Sequence, residues 1–527
     1  MKTKCKILGK EYDVYYLFLF CYILVIGFAV RLVGFGGHPA GLNQDEASIG
    51  YETYALLKAG IDRNGCSFPV HFIAWGSGQN ALYAYFSMPF VAIMGLNVVS
   101  VRMVNLIFSL LSILAVHSVF RRHYDEKMAL IAMALTAISP WNIMLSRWSL
   151  ESNLFPSMLI LSLWAISKSL TNRRFLYLAA VLLALSMYAY GAAYLVVPVM
   201  LLELGITYVI TYARNRSLSE ELTVREQFPV RSMIGPVIVF LVVALPMFLF
   251  MYINVFDHET IQLGPITIPH TYGGRLETSS GATLKSAIRN FFGLCVMQND
   301  NLSWNGFQFY GCDYVISLPF TVIGILCAVR SHKPMDVILL IMLSSALLLF
   351  AYYEAPNINR VNAVYFPLLL LAAIGIHALS SDRRYVIGIF AAYAICFCGF
   401  MGRYFGREYK DQIGRTFFES YGEAITYADS IHEEERIIVT AEVNMPYIFA
   451  LFYTRNDPHE FIDTVEYANP GGQFQYVKSY GDFVFDHELL TSGEKGIYII
   501  ANDDLETMRQ YTSEIQEYRY YSVAVVR

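Results

Sequence analysis

The chain has 527 residues, 56% of them apolar and only 15% charged, with a mean hydropathy of +0.43. A soluble protein carries about a quarter charged residues, so a soluble enzyme and a nucleic-acid-binding protein are both excluded. The net charge of −5 is unevenly placed: residues 403–527 hold 11 Lys and Arg against 22 Asp and Glu, and the remainder 27 against 21. That shift divides a membrane part, residues 1–402, from an acidic extracytoplasmic tail, residues 403–527.

The first apolar run follows Lys2, Lys4, Lys6 and Lys10 and lacks a small-residue cleavage site, so it reads as a span and not as a cleaved signal. Runs long enough to cross a bilayer recur at 14–36, 98–120, 127–145, 152–170, 174–190, 192–212, 233–255, 313–330, 335–353, 361–380 and 384–402. The predicted fold class is therefore a polytopic α-helical membrane protein of about eleven spans with a C-terminal α/β domain. Lys and Arg concentrate in alternate short loops, at Arg121-Arg122 with Lys127, Lys168 with Arg173-Arg174, Arg214 through Arg231, Arg330 with Lys333, and Arg383-Arg384. That bias places the N-terminus in the cytoplasm, and eleven spans place the tail outside the cell membrane.

Two loops on the predicted outer side are long. The first, 37–97, contains amphipathic pieces at 46–59 and 79–94, expected along the membrane surface. The second, 256–312, holds Gly-, Thr- and Ser-rich turns and then Trp304, Phe307, Phe309 and Tyr310, an aromatic content that argues for order. In the tail, a helix is expected over 411–431, strands at 437–440, 496–500 and 522–526, and a helix at 445–454. The eight cysteines show no metal spacing; Cys295 and Cys312 are the pair open to a disulfide.

Chemistry points to Gly41-Leu42-Asn43-Gln44-Asp45-Glu46-Ala47, just after the first span. Adjacent carboxylates repel, so one needs a cation or a raised pKa. A solvated loop pair is the ordinary alternative. Against it, Arg31, Arg102, Arg147, Glu151 and Arg360 all fall near the outer ends of spans, where positive-inside bias makes arginine less expected. Each arginine alone could snorkel. Glu203 lies deeper and takes no role beyond an internal pair. A carboxylate at the mouth of a bundle can take a proton from a hydroxyl, and arginines can hold a phosphate. Together they suit displacement at a sugar C1, with lipid phosphate leaving.

With these residues the chain resembles the GT-C superfamily of integral-membrane glycosyltransferases. The likeness is to the bacterial branch related to dolichyl-phosphate-mannose–protein mannosyltransferases and aminoarabinose transferases. It covers about residues 15–400 and rests on Leu42 to Ala47, on Ser139-Pro140-Trp141-Asn142 through Arg147-Trp148-Ser149-Leu150-Glu151-Ser152-Asn153, on Trp304-Asn305, and on Asn357-Ile358-Asn359-Arg360-Val361-Asn362. The resemblance implies Asp45 as catalytic base with Glu46 as its acidic neighbour. It implies Arg102 supporting that pair, and substrate or phosphate contacts from Arg102, Arg360, Asn362, Trp304 and Asn305. Arg147 and Glu151, four apart, are expected to pair as supporting residues. The aminoarabinose branch carries Lys-Pro near the end of the first loop, where Gln79-Asn80 stands here; that branch's substrate and metal are therefore not carried over. No obligatory cofactor or metal is expected.

The activity implied is transfer of one sugar from a polyprenyl-phosphate donor, mannosyltransferase-like and inverting, to a hydroxyl of an envelope glycan, lipid or protein. The partners are that donor, that acceptor and membrane lipid. A transporter or flippase for a lipid-linked or envelope substrate is the alternative, but transporters place polar sites near the midplane on related halves, and no halves correspond here. A non-catalytic scaffold presenting the acidic tail leaves the acidic loop and the outer arginines unexplained.

Overall fold

Asp13 caps the first membrane helix, α1 (Val14–Leu32), its carboxylate accepting the Tyr15 N–H at 2.9 Å. This computed structural model describes residues 4–7, 10–214, 223–273, 282–307, 310–331 and 333–527. Lys2, Phe309 and the Gly- and Ser-rich turns at 274–281 lie outside the described residues. After α1 come α2 (Gln44–Ala59), α3 (Leu82–Met94), α4 (Val98–His123), α5 (Glu126–Ile138), α6 (Pro140–Leu145), α7 (Glu151–Ser169), α8 (Phe175–Ala189) and α9 (Ala193–Ala213).

Six helices among the described residues are long and apolar enough to cross a membrane: α1, α4, α9, Val230–Val255, Pro334–Tyr352 and Arg384–Tyr404. Leu82–Met94, Phe175–Ala189, Ser317–Ser331 and Asn362–Ala378 are shorter apolar helices. The chain is thus a multi-pass membrane protein. Helices such as Val230–Val255 expose Val237, Leu241 and Val242 along one side, a surface suited to lipid.

The predicted run 127–145 is two helices. Ser139 ends α5 and caps α6, whose first residue is Pro140; a proline inside a continuous helix would lose a hydrogen bond and clash. α7 is buried along nearly its whole length despite Ser152, Asn153, Ser157 and Ser162. It packs between α4 and α8, and a helix screened from lipid can carry such groups when they bond back, as Ser162 does to the Met158 carbonyl at 2.8 Å. Ser317–Ser331 and Tyr365–Ala378 approach closely at Gly324 and Gly375, where a Cβ on either would strike the other helix's backbone.

The tail carries a seven-stranded sheet: β1 (Ile437–Val439), β2 (Glu466–Tyr467), β3 (Val477–Tyr480), β4 (Phe483–Phe485), β5 (Gly496–Ala501), β6 (Ile515–Glu517) and β7 (Tyr521–Val526). Their spatial order is β6-β7-β5-β1-β4-β3-β2, with β4 and β5 parallel to β1 and the outer pairs antiparallel. The expected helix 411–431 is two helices, Arg407–Thr416 and Tyr421–Ile431. Between them Phe418 and Ser420 adopt φ of 52° and 70°, and the Glu419 N–H turns back to the Gly414 carbonyl at 2.8 Å.

α2 is not a solvent-exposed amphipathic piece: it is buried between α3 and the tail helix Pro446–Thr454. Gly50 sits against Phe452 so closely that a Cβ would collide with the ring. Tyr51 and Tyr54 donate to the carbonyls of Asn456 and Arg455 at 3.1 and 3.0 Å. Its glycine and tyrosine positions form the face that meets the tail. Cys295 and Cys312 are both free and buried, with no disulfide between them.

Candidate active site

The acidic motif is the first turn of α2. Asn43 and Glu46 form a reciprocal cap: the Asn43 side chain accepts the Asp45 N–H at 2.9 Å and Glu46 Oε2 accepts the Asn43 N–H at 3.1 Å. The helix dipole favours both carboxylates at this end. One helical step apart, the two side chains diverge into different environments.

Glu46 is fully buried and saturated. Arg102 grips it with both prongs, Nε to Oε1 and Nη2 to Oε2, each at 2.8 Å. The Ser149 N–H and Oγ donate to Oε1 at 2.7 and 2.9 Å. Arg102 spends its other N–H groups on the carbonyls of Gly36, Pro39 and Gly41, at 3.1, 2.9 and 2.9 Å. Neither side chain has accessible surface. Arg102 therefore secures Glu46 and the loop behind it, and does not reach a phosphate.

Asp45 is half-buried and lines a cavity of about 730 Å³. Trp75 Nε1 donates to its Oδ1 at 3.1 Å, and Gln79 Nε2 donates to its backbone carbonyl at 3.2 Å. Burial raises the Asp45 carboxyl above its ordinary value; the Trp75 bond opposes this, Glu46 adds to it, and Arg63 opposes it. Arg63 is itself buried, with Nη1 3.3 Å from Glu52 and its guanidinium 5.0 Å from the Trp75 ring. Asp62, next to it, is pushed up to about 8, mainly by burial and then by Glu52.

The cavity wall gathers parts distant in sequence. Arg360 lines it as an exposed cation, its guanidinium 5.5 Å from the Tyr353 ring. Its loop is pinned where Asp300 Oδ2 accepts the Ile358 N–H at 2.9 Å. Glu151 lines the cavity too and accepts the Asn80 N–H at 2.8 Å. Leu195, Phe250, Met251 and Leu349 make an apolar side, and Asn444 and Phe474 come from the tail.

The other predicted residues fall elsewhere. The expected Arg147–Glu151 pair does not form. Arg147 donates instead to the carbonyls of Val30, Arg31, Val33 and His38, at 3.0, 2.8, 2.7 and 3.1 Å. It thereby closes the end of α1, because the carbonyls of a helix end need donors. Arg31 likewise bonds inward, to Ser109, Asn142 and the carbonyls of Gly27, Thr136 and Ala137. Glu203 accepts the Ser344 hydroxyl at 2.6 Å. Asn362 is buried and donates to the Ser152 carbonyl at 2.7 Å. Trp304 packs 6.2 Å from Phe417, and Asn305 Nδ2 bonds Asp300 at 2.8 Å. None of Asn362, Trp304 and Asn305 lines the cavity; they brace the loops that do. Among the described residues no three His, Cys, Asp or Glu side chains converge as a metal site.

The tail holds the acidic turn in place. The Leu42 N–H donates to the Phe417 carbonyl at 2.7 Å, and Phe417 packs between Trp148 and Trp304. Gly41 has φ of +82°, and a Cβ there would strike the Phe417 carbonyl, so only glycine fits. His38 packs among Tyr404, Phe405 and Tyr409, where burial and then Arg147 push its imidazole down to about 4.

Residues 79–250 match the family model for dolichyl-phosphate-mannose-protein mannosyltransferase. A search by sequence among curated proteins finds no match. Among solved structures the chain is similar to ArnT from Cupriavidus metallidurans in the apo state, at 14% identity over 97% of both chains, TM-score 0.59. It is similar to the same protein bound to undecaprenyl phosphate at 13% identity over 97% of both, TM-score 0.57. The chain therefore shares the fold of ArnT over 97% of its length, including the tail.

Proposed function

We propose that this chain is a polyprenyl-phosphate-sugar-dependent glycosyltransferase that moves one sugar to an acceptor hydroxyl at the extracytoplasmic face. The observation that carries this reading is a half-buried carboxylate, Asp45, sharing one cavity with the exposed cation Arg360 and an apolar wall of membrane helices. In this mechanism Asp45 is the base. One oxygen, Oδ1, is oriented by Trp75, and the carboxylate takes the proton from the acceptor hydroxyl as that oxygen bonds to the sugar C1. The bond from C1 to the phosphate breaks on the opposite side, which inverts the anomeric centre, and Arg360 stabilises the charge left on the phosphate. The apolar wall suits the first isoprene units. The match to the mannosyltransferase family model and the fold shared with ArnT, which was crystallised with undecaprenyl phosphate, support a lipid-phosphate donor. A mannosyl group is the first sugar to test, and an envelope glycan, lipid or protein the acceptor.

The test is transfer or slow donor hydrolysis from a panel of polyprenyl-phosphate sugars, with native membranes supplying acceptors. Donor consumption that depends on Asp45 supports the reading. Equal turnover by the Asp45→Asn variant, or no consumption of any donor by folded protein, overturns it.

A further inference from the structure

A second, smaller cavity of about 210 Å³ lies wholly within the tail. Its floor is the point where the adjacent parallel strands β1 and β4 end, since Thr440 follows β1 and Asp486 and His487 follow β4. Open α/β sheets bind ligands outside the carboxyl ends of their parallel strands. Tyr447, Tyr476 and Phe485 form aromatic walls. The Thr440 hydroxyl is buried, and among the described residues it has no hydrogen-bond partner. A buried hydroxyl left unpaired costs about 1–3 kcal/mol, so its position in the cavity wall calls for a ligand that can bond it. His487, also in the wall, bonds the Thr440 carbonyl through Nδ1 at 2.7 Å, a bond that does not use Nε2.

We propose that this cavity binds one sugar unit of a glycan acceptor, while the neighbouring hydroxyl-bearing unit sits before Asp45. This deepens the transferase reading and rests on it for the role of acceptor. The occupant is chosen by chemistry. Aromatic faces with a few hydrogen-bonding groups suit a pyranose, which offers C–H faces and equatorial hydroxyls. The acidic tail, with 22 Asp and Glu against 11 Lys and Arg, disfavours an anionic ligand. The volume falls below the ~300–1,000 Å³ of sites for drug-sized molecules, so one small unit fits. An extended peptide would use a sheet edge or a long groove, and this cavity is a short recess at strand ends. The two cavities are neighbours along two segments. Asn444 lines the larger one and Met445 and Pro446 the smaller; Phe474 lines the larger and Tyr476 the smaller. The loop carrying Phe474 is fixed in place, because the Gln473 carbonyl accepts the Gly76 N–H at 2.7 Å beside Trp75.

The experiment is saturation-transfer NMR on the purified full-length protein. The probes are mannose, glucose, galactose and N-acetylglucosamine with their disaccharides, and an unglycosylated Ser/Thr-rich peptide as the contrasting ligand. At least one saccharide should bind without donor present. Tyr476→Ala and Thr440→Val should each weaken it by roughly 3- to 10-fold, the scale of one aromatic contact or one hydrogen bond. In the transfer assay the same variants should raise the acceptor KM and leave donor hydrolysis unchanged. Absence of saccharide binding, binding indifferent to both variants, or peptide binding lost with Tyr476→Ala would overturn the proposal. Because binding is read without donor, a protein that binds saccharide in this cavity but consumes no donor would sink the transferase reading alone.

Discussion

Two carboxylates in one turn of helix belong to two acid–cation sets that do opposite things. Glu46 with Arg102 is dry, bidentate and bonded at every nitrogen. Asp45 and Arg360 face a shared cavity and keep capacity for something else. A buried ion pair gains little net stability over an apolar pair, yet losing one partner is costly because the other charge is stranded. The inner set therefore fixes geometry, and the outer set is available for chemistry. Neighbouring carboxylates in sequence need not share a function.

The contrast can be broken from either side. The largest effect is expected from Asp45→Asn, which should cut transfer by roughly 10²- to 10⁴-fold, the usual contribution of a general base, with thermal stability in detergent unchanged. Arg102→Met should do the reverse in kind: about 3–5 kcal/mol of stability lost through the stranded Glu46, read as lower yield and earlier thermal unfolding. A stable, folded Arg102→Met protein would contradict the structural role given to that pair. Arg360→Gln should raise the donor KM by about 10- to 100-fold, the worth of one hydrogen bond to a charged group, without affecting folding.

The smallest effect concerns pH. As the proposed base Asp45 must be ionised to act, and burial holds its carboxyl above the ordinary ~3.9. Transfer should therefore fall on the acid side at a pH above that of a free aspartate. Trp75 favours the ionised form, so Trp75→Phe should move this acid limb to still higher pH. A limb that stays put or moves down would show that Trp75 does not orient the base.

Much of the bundle was legible because apolar runs of about 20 residues announce themselves, and the predicted runs all fall on helices. The bounds of α2 were close, but its burial was not legible, because its polar and glycine positions are consumed by the tail, a partner some 400 positions away in sequence. Asp45 stood out through its motif. Trp75, Asn444 and Phe474 gave no signal, since each acquires a role only where loops from three parts of the chain meet. Trp304 and Asn305 misled for a related reason: an aromatic next to an amide reads equally as a ligand contact or as a loop brace. Arg147 and Glu151 had the right spacing for a helix pair, but α6 ends at Leu145 and α7 begins only at Glu151, so the chain between them is not helical and no shared face exists.

The bond from Leu42 to the Phe417 carbonyl also sets an order of maturation. The acidic turn emerges from the ribosome early, but the backbone oxygen that steadies it is synthesised about 375 residues later. A nascent chain is thus a set of membrane helices with an unsteadied acidic turn, and it cannot assemble the complete site until the tail has folded against the first loop. Synthesis stopped at Gly406 should yield inserted helices that consume no donor.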